Sequence, residues 1–252
     1  MSDAINGDLS VRVVVETARM EWVSSPSGSV WRKRVHLVGP PESGQVTSVV
    51  RYEPTSRFPA HDHPEGEEIL VLEGVFSDEH GDWPAGTYLL NPEGFRHAPS
   101  SEPGCLLFVK LRQFPGRERR HVVVDTHGLD WQRSSIPGVA QKALYQQAGF
   151  QDAMRLERWD AQTDLGTITY ERGAELFVLA GGFADDAGAY SAGCWMRLPA
   201  GSEYHPRSAD GCNIVHQDGW PAVPTGGRRL TPIRAPMSSG QAEALWGRGS
   251  RP

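Results

Sequence analysis

The sequence predicts an all-β chain made of two tandem copies of one unit, each closing into a barrel or a two-sheet jelly roll. Three observations carry this expectation: an internal repeat, an abundance of turn-forming residues, and apolar runs of strand length. Residues 66–105, GEEILVLEGVFSDEHGDWPAGTYLLNPEGFRHAPSSEPGC, align without a gap on residues 173–212, GAELFVLAGGFADDAGAYSAGCWMRLPAGSEYHPRSADGC, at an offset of 107 and with 16 identities over 40 positions. The similarity continues upstream at an offset of 109, where WVSSPSGSVWRK from Trp22 answers WQRSSIPGVAQK from Trp131. The two units therefore cover about 20–115 and 128–222. The 28 glycines and 19 prolines favour short strands joined by tight turns over a helical bundle.

In chain order, residues 1–19 form an arm ahead of the first copy. Ile69–Val75 and its counterpart Leu176–Gly182 are apolar runs rich in Val and Leu and end at glycine, as buried strands do. Thr87–Leu90 and Cys105–Leu111 are further strands, with Asp78-Glu-His-Gly81 and Asn91-Pro-Glu-Gly94 as turns. A hundred residues of short antiparallel strands close on themselves because closure removes exposed edges. Helix is expected at most over Gly240–Trp246 and Lys142–Gln147. The stretch from Trp220 is basic and rich in Pro and Gly, so 223–252 is expected to be a tail and not another domain.

Composition bounds the function. With 252 residues, 38% hydrophobic, 22% charged and a net charge of −6, the chain has an ordinary globular profile and no basic footprint for nucleic acid. No membrane partner is expected, and a homodimer is an open expectation. Cys105, Cys194 and Cys212 have no CxxC spacing and form no complete disulfide framework. The opening MSDAINGDLSVRVVVE lacks the apolar core of a signal peptide, so a cytoplasmic location is expected. Of 25 basic side chains only Lys33, Lys110 and Lys142 are lysines.

The strongest chemical signal is His61-Asp-His63-Pro-Glu-Gly-Glu67, followed by His97 in NPEGFRH. Residues i and i+2 of a strand share a face, so His61 and His63 can aim two imidazoles at one point. Pro64 and Gly66 then bend the chain so that Glu67 can turn toward it, and the turn at Pro92–Gly94 returns His97 on a neighbouring hairpin. Three imidazoles and a carboxylate suit a divalent transition metal, imidazole being a ligand of Zn, Cu, Fe and Ni, and leave up to two positions open on an octahedral ion.

His61-x-His63-x3-Glu67-x6-Gly74 and Gly86-x5-Pro92-x-Gly94-x2-His97 resemble the two motifs of the cupins, and the surrounding text resembles the ChrR-like cupin family. The resemblance is strong over 20–115 and weaker over the second copy. It implies a bicupin: two tandem double-stranded β-helix barrels, with His61, His63, Glu67 and His97 as metal ligands inside the first. It also implies two functional classes, metal-dependent dioxygenases that cleave diketones or hydroxyketones and zinc-binding sensor domains of anti-sigma factors.

The second copy acts as an internal control. His61, His63, Glu67 and His97 map onto Ile168, Tyr170, Ala174 and Tyr204, and the neighbouring His205 cannot replace them, so no metal is expected there. Gly74/Gly181, Phe76/Phe183, Asp78/Asp185, Gly86/Gly193 and Cys105/Cys212 persist in both copies and are assigned to turns and packing, as are Arg51/Arg158 and Glu68/Glu175. His80 is expected in solvent, and His36, His121, His127 and His216 have no partners at ligand spacing. Trp83, Tyr88 and Phe95 are core or pocket wall, Lys110 and Arg112 a solvated face or an anion contact, and Arg117–Arg120 an exposed loop.

Together with the ligand set, the resemblance implies an oxidoreductase, a metal-dependent dioxygenase with one divalent ion per chain (Fe(II) favoured, Zn, Mn or Ni as alternatives) acting on a small oxygenated molecule of the β-diketone or hydroxyketone type. The alternative is a non-catalytic zinc-binding sensor or regulatory module. Met1 to about Glu21 contains no Cys or His, so the helical zinc-binding half of the anti-sigma regulators is expected to be absent.

Overall fold

The computed structural model describes residues 4–219. The expectations for the tail 223–252 and for helix at Gly240–Trp246 lie outside the described residues. Among the described residues the chain is β-structure apart from one short 3-10 turn, Thr17–Arg19, and no helix is long and apolar enough to cross a membrane. The all-β expectation of tandem barrels holds. Lys142–Gln147 is not helical: it lies in the strand Val139–Gln146, where pairing with Ala153–Trp159 satisfies its backbone groups.

Each copy contributes one large antiparallel sheet and a facing hairpin pair. In the first, the order is Val122–Asp125, Thr87–Asn91, Glu67–Asp78, Cys105–Leu111, Gln45–Tyr52, Val30–Val38 and Val23–Ser24, opposed by His61–His63 paired with Phe95–His97. In the second, the order is Val13–Glu16, Cys194–Leu198, Ala174–Asp185, Cys212–Asp218, Ala153–Trp159, Val139–Gln146 and Gln132–Arg133, opposed by Ile168–Tyr170 paired with Ser202–Tyr204. The outermost strands are exchanged. Val13–Glu16 precedes the first copy yet pairs with Cys194–Leu198 of the second, while Val122–Asp125 precedes the second copy yet pairs with Thr87–Asn91 of the first. The arm expected over 1–19 thus contains a strand of the second sheet.

The strand period of two divides each sheet between two cores. Ile69, Val71, Leu89, Leu107 and Val109 face the interior of the first barrel. Their neighbours Leu70, Tyr88, Leu90 and Phe108 face outward and join Leu144, Met154, Leu156, Phe177, Trp195 and Val215 in a core shared by both copies. A third cluster, including Trp159, Leu176, Val178 and Ile214, fills the second barrel. The same parity sends Glu67 inward and Glu68 to the junction. Gly74 and Gly181 (φ 71° and 67°) follow a bulge in each long central strand, and a Cβ on either would stand 2.0 or 2.1 Å from the carbonyl oxygen of Gly104 or Gly211.

The junction accounts for several residues whose sequence context misleads. Lys110 is neither a solvated face nor an anion contact in the lumen: it is buried, with Nζ 3.0 Å from Glu175 and hydrogen-bonded to Gln217 across the junction. Tyr88 lies there too and donates to Glu68 Oε1 at 2.6 Å. Burial pushes the Glu68 carboxyl up to about 7, against the pull of Lys110 and the tyrosine hydroxyl. Arg117–Arg120 is not wholly exposed, because Arg119 is buried in a bidentate pair with Asp152 at 2.7 and 2.8 Å. All three lysines are buried, and Lys33 and Lys142 donate to the carbonyls of Thr17 and Thr126.

Candidate metal centre

His61 and His63 lie two residues apart on the strand His61–His63, and the antiparallel register sets His97 directly opposite His61. One ligand nitrogen from each of His61, His63 and His97 falls within 4.8 Å of the others, so the triad could hold a metal ion. His63 Nε2 and His97 Nε2 stand 2.9 Å apart, and Glu67 Oε2 is 3.4 Å from each. Glu67 begins the central strand on the opposing sheet, and Gly66, at φ 73°, makes the bend before it. Sequence spacing thus brings together the four residues it singled out.

Hydrogen bonds outside the cluster set the direction of each ring. His61 Nδ1 donates to the Pro59 carbonyl at 3.0 Å, and His97 Nδ1 donates to Asp78 Oδ2 at 3.1 Å, so both rings keep Nε2 as the lone-pair nitrogen. Asn91 Nδ2 donates to Glu67 Oε2 at 2.9 Å and fixes the carboxylate. Burial lowers the pKa of His63 and favours its neutral, ligand-competent form. Burial acts the same way on His97, but the Asp78 hydrogen bond and the charge of Glu67 outweigh it and raise its pKa. The donor set suits a borderline divalent transition ion, and the supporting bonds orient it toward one point. Sequence reasoning missed Asn91 and gave Asp78 only a turn role. Asp78 does anchor its turn, accepting from the His80 amide at 2.9 Å and Trp83 Nε1 at 3.3 Å, but its other oxygen orients His97. Strand parity alone would have missed both: Asp78 is an odd eleven residues from Glu67, and only the bulge between Val71 and Glu73 restores its side, while Asn91 lies opposite Glu67 on the neighbouring strand.

The imidazoles open on a chamber of about 390 Å³ in the first barrel, walled by Val50, Ile69, Phe76, Leu107, Val109 and Leu111. Phe95 stacks on His121 at 4.7 Å and packs against His97 at 5.6 Å, so it supports the site's edge. His80 is exposed beside Phe95.

The second barrel has more than its ligands replaced. Ile168 and Tyr204 keep the register that His61 and His97 hold, so the scaffold is intact. Glu157, His216 and Asp218 stand at the positions of Val50, Val109 and Leu111, and with Arg155 they form an ion network inside the barrel. His216 Nδ1 lies 2.9 Å from Glu157 Oε1, and Trp159 Nε1 donates to Glu157 Oε2 at 2.8 Å. His216 thus has partners after all, none of them at metal-ligand spacing in sequence. Where the first barrel carries the apolar Val50, Val109 and Leu111, the second carries paired charges.

A family model described as the ChrR Cupin-like domain matches the chain twice, over residues 10–115 and 119–221. Among solved structures, a candidate dioxygenase from Nostoc punctiforme superposes with a TM-score of 0.68 at 15% identity, over 83% of each chain. The bacterial pirin YhhW from Escherichia coli, solved in complex with nickel(II), gives 0.59 at 15% identity over 84% of this chain and 100% of that one. Oxalate decarboxylase from Bacillus subtilis gives 0.58 at 13% identity over 86% of this chain and 80% of that one. At these identities the likeness is one of fold. No curated protein matches the sequence.

Proposed function

The chain belongs to the ChrR cupin-like family, and on that footing we propose that its first barrel is a metal-dependent dioxygenase acting on a small oxygenated molecule of the β-diketone or hydroxyketone type. The observation that carries the proposal is the convergence of His61, His63 and His97 within 4.8 Å, with His61 and His63 lining a chamber that has an apolar wall. These three and Glu67 would hold one divalent ion, Fe(II) by preference. Bound there, the ion supplies Lewis acidity for a chelating pair of substrate oxygens and a place to bring dioxygen against it.

The chain's own residues do the rest. Asp78 and the Pro59 carbonyl engage Nδ1 of His97 and His61 and so aim Nε2 of each ring at the cluster, and Asn91 holds the Glu67 carboxylate in place. Val50, Ile69 and Val109 give the chamber an apolar wall against which the hydrocarbon part of a small substrate could rest. A volume of about 390 Å³ is within the range of small-molecule sites. The second barrel serves stability, because its outer face completes the shared core and an ion network stands where the first barrel has apolar wall.

Oxygen consumption by the Fe(II)-loaded protein over a panel of β-diketones and hydroxyketones tests the reading. Turnover that His61→Ala abolishes is the expected result. Tight zinc binding in a closed tetrahedral site, with no turnover on any panel member, would favour a sensor module instead.

A further inference from the structure

Arg112 and Gly219 occupy the same turn of the two copies, one residue beyond the strands Cys105–Leu111 and Cys212–Asp218. Each amide donates at 3.0 Å to a corresponding glycine carbonyl, Arg112 to Gly66 and Gly219 to Gly173. Both turns pass through the left-handed region, with φ 59° at Arg112 and 73° at Gly219. Glycine enters that region freely, whereas a side chain there is strained. The other such pair, Thr55 at 63° and Gln162 at 58°, is strained in both copies and belongs to the common scaffold. Only the copy with the histidine triad keeps an arginine where its twin uses glycine. Strain of this kind persists where the side chain has a task and the surroundings enforce the position.

The task follows from the charges around the chamber, which Arg112 helps to line. Glu42 is held by Arg32 at 2.8 Å and Arg34 at 2.9 Å, Asp62 by Arg96 at 3.1 Å, and Glu67 by Asn91 at 2.9 Å. Among the described residues no carboxylate pairs with Arg112, which is half-buried and follows Leu111, the register partner of Glu67. A guanidinium at the edge of the chamber, with its donors unengaged, is a fork for a planar anion.

We propose that Arg112 anchors a carboxylate, so that the chamber's occupant is an anionic oxo acid: one end paired with the guanidinium, the oxo oxygens directed at the histidine cluster, and the hydrocarbon end against Val50, Ile69 and Val109. This rests on the metal-binding reading of His61, His63, Glu67 and His97. Two probes separate the claims, 2,4-dioxopentanoate and acetylacetone, which share a diketone head and differ in the carboxylate. Both are titrated into the Co(II)-loaded full chain and followed by its visible spectrum. The wild type is expected to bind 2,4-dioxopentanoate at least tenfold more tightly, R112G to lose that preference with acetylacetone unchanged, and R112K to recover part of it. In metal-free protein R112G should have a thermal midpoint at or above that of the wild type, since it restores the residue the turn favours. Equal binding of the two probes by the wild type, a preference that survives in R112G, or a lower metal-free midpoint would overturn the anchor and leave the metal reading standing. Binding of neither probe would overturn the anchor and the diketone class of substrate, whereas failure of the chain to take up Co(II) at all would overturn the metal reading.

Discussion

The rings of Phe108 and Phe177 stack across the junction of the two barrels, with centroids 4.6 Å apart and planes 12° from parallel. Both are buried in the core that the copies share. Phe108→Ala removes a large side chain from a core with no means of closing the gap, so a loss of about 3–5 kcal/mol is expected. Denaturant unfolding measures it. Metal content per folded chain should not change, because Phe108 points away from the chamber.

The exchanged strands make a separate claim about cooperativity. Deleting residues 1–16 strips the strand Val13–Glu16 from Cys194–Leu198 and leaves an open edge on the second sheet. Hydrogen exchange should quicken at Cys194–Leu198 in the truncated chain, while Thr87–Asn91, covered by Val122–Asp125, stays protected. Quickening confined to the first sheet would contradict the exchange.

Metal stoichiometry is the most direct test of the centre. Protein purified without chelator should carry close to one ion per chain, and His61→Ala or His97→Ala should abolish it. At a free-metal concentration of about 100 times Kd, binding should add roughly 2.7 kcal/mol to stability, which a chelator should remove. Two ions per chain would contradict the assignment of the second barrel.

Asp78→Asn isolates the support of His97. The amide cannot hold Nδ1 as a carboxylate does, so metal affinity should fall about 10–100-fold while the fold is retained. Competition with a chromophoric chelator reads the change. The equivalent Asp185→Asn should leave metal affinity untouched, because Asp185 is held by Arg12 and Tyr190 in the second barrel.

The ion network of the second barrel has a definite pH signature. Burial works against the Glu157 carboxylate, but the His216 charge and hydrogen bond and the Arg155 charge outweigh it and hold the group down at about 2. Its contribution is therefore present above the ordinary value of 4.5 and lost as pH falls toward 2. Burial likewise opposes the His216 cation, yet Glu157 above all raises its pKa, so that contribution is full below 6.5 and lost as pH rises through the raised value. The stability gap between wild type and Glu157→Gln should be widest between pH 4.5 and 6.5 and narrow on either side. Urea unfolding across that range gives the profile, and a flat one would contradict the network.

The repeat, the all-β class, and the grouping of His61, His63, Glu67 and His97 were legible in the residues, because each depends on local pattern: strand period, turn chemistry and ligand spacing. Packing decided the remainder. Nothing adjacent to Lys110 announces Glu175, nothing adjacent to Val13 announces Arg197, and His216 looks solitary until the sheet closes Arg155 and Glu157 around it. Such partners lie on distant segments, and free energy selects them through burial and charge pairing that exist only once both sheets have formed. The same holds for Arg112, whose backbone strain is visible only in the folded turn it shares with Gly219.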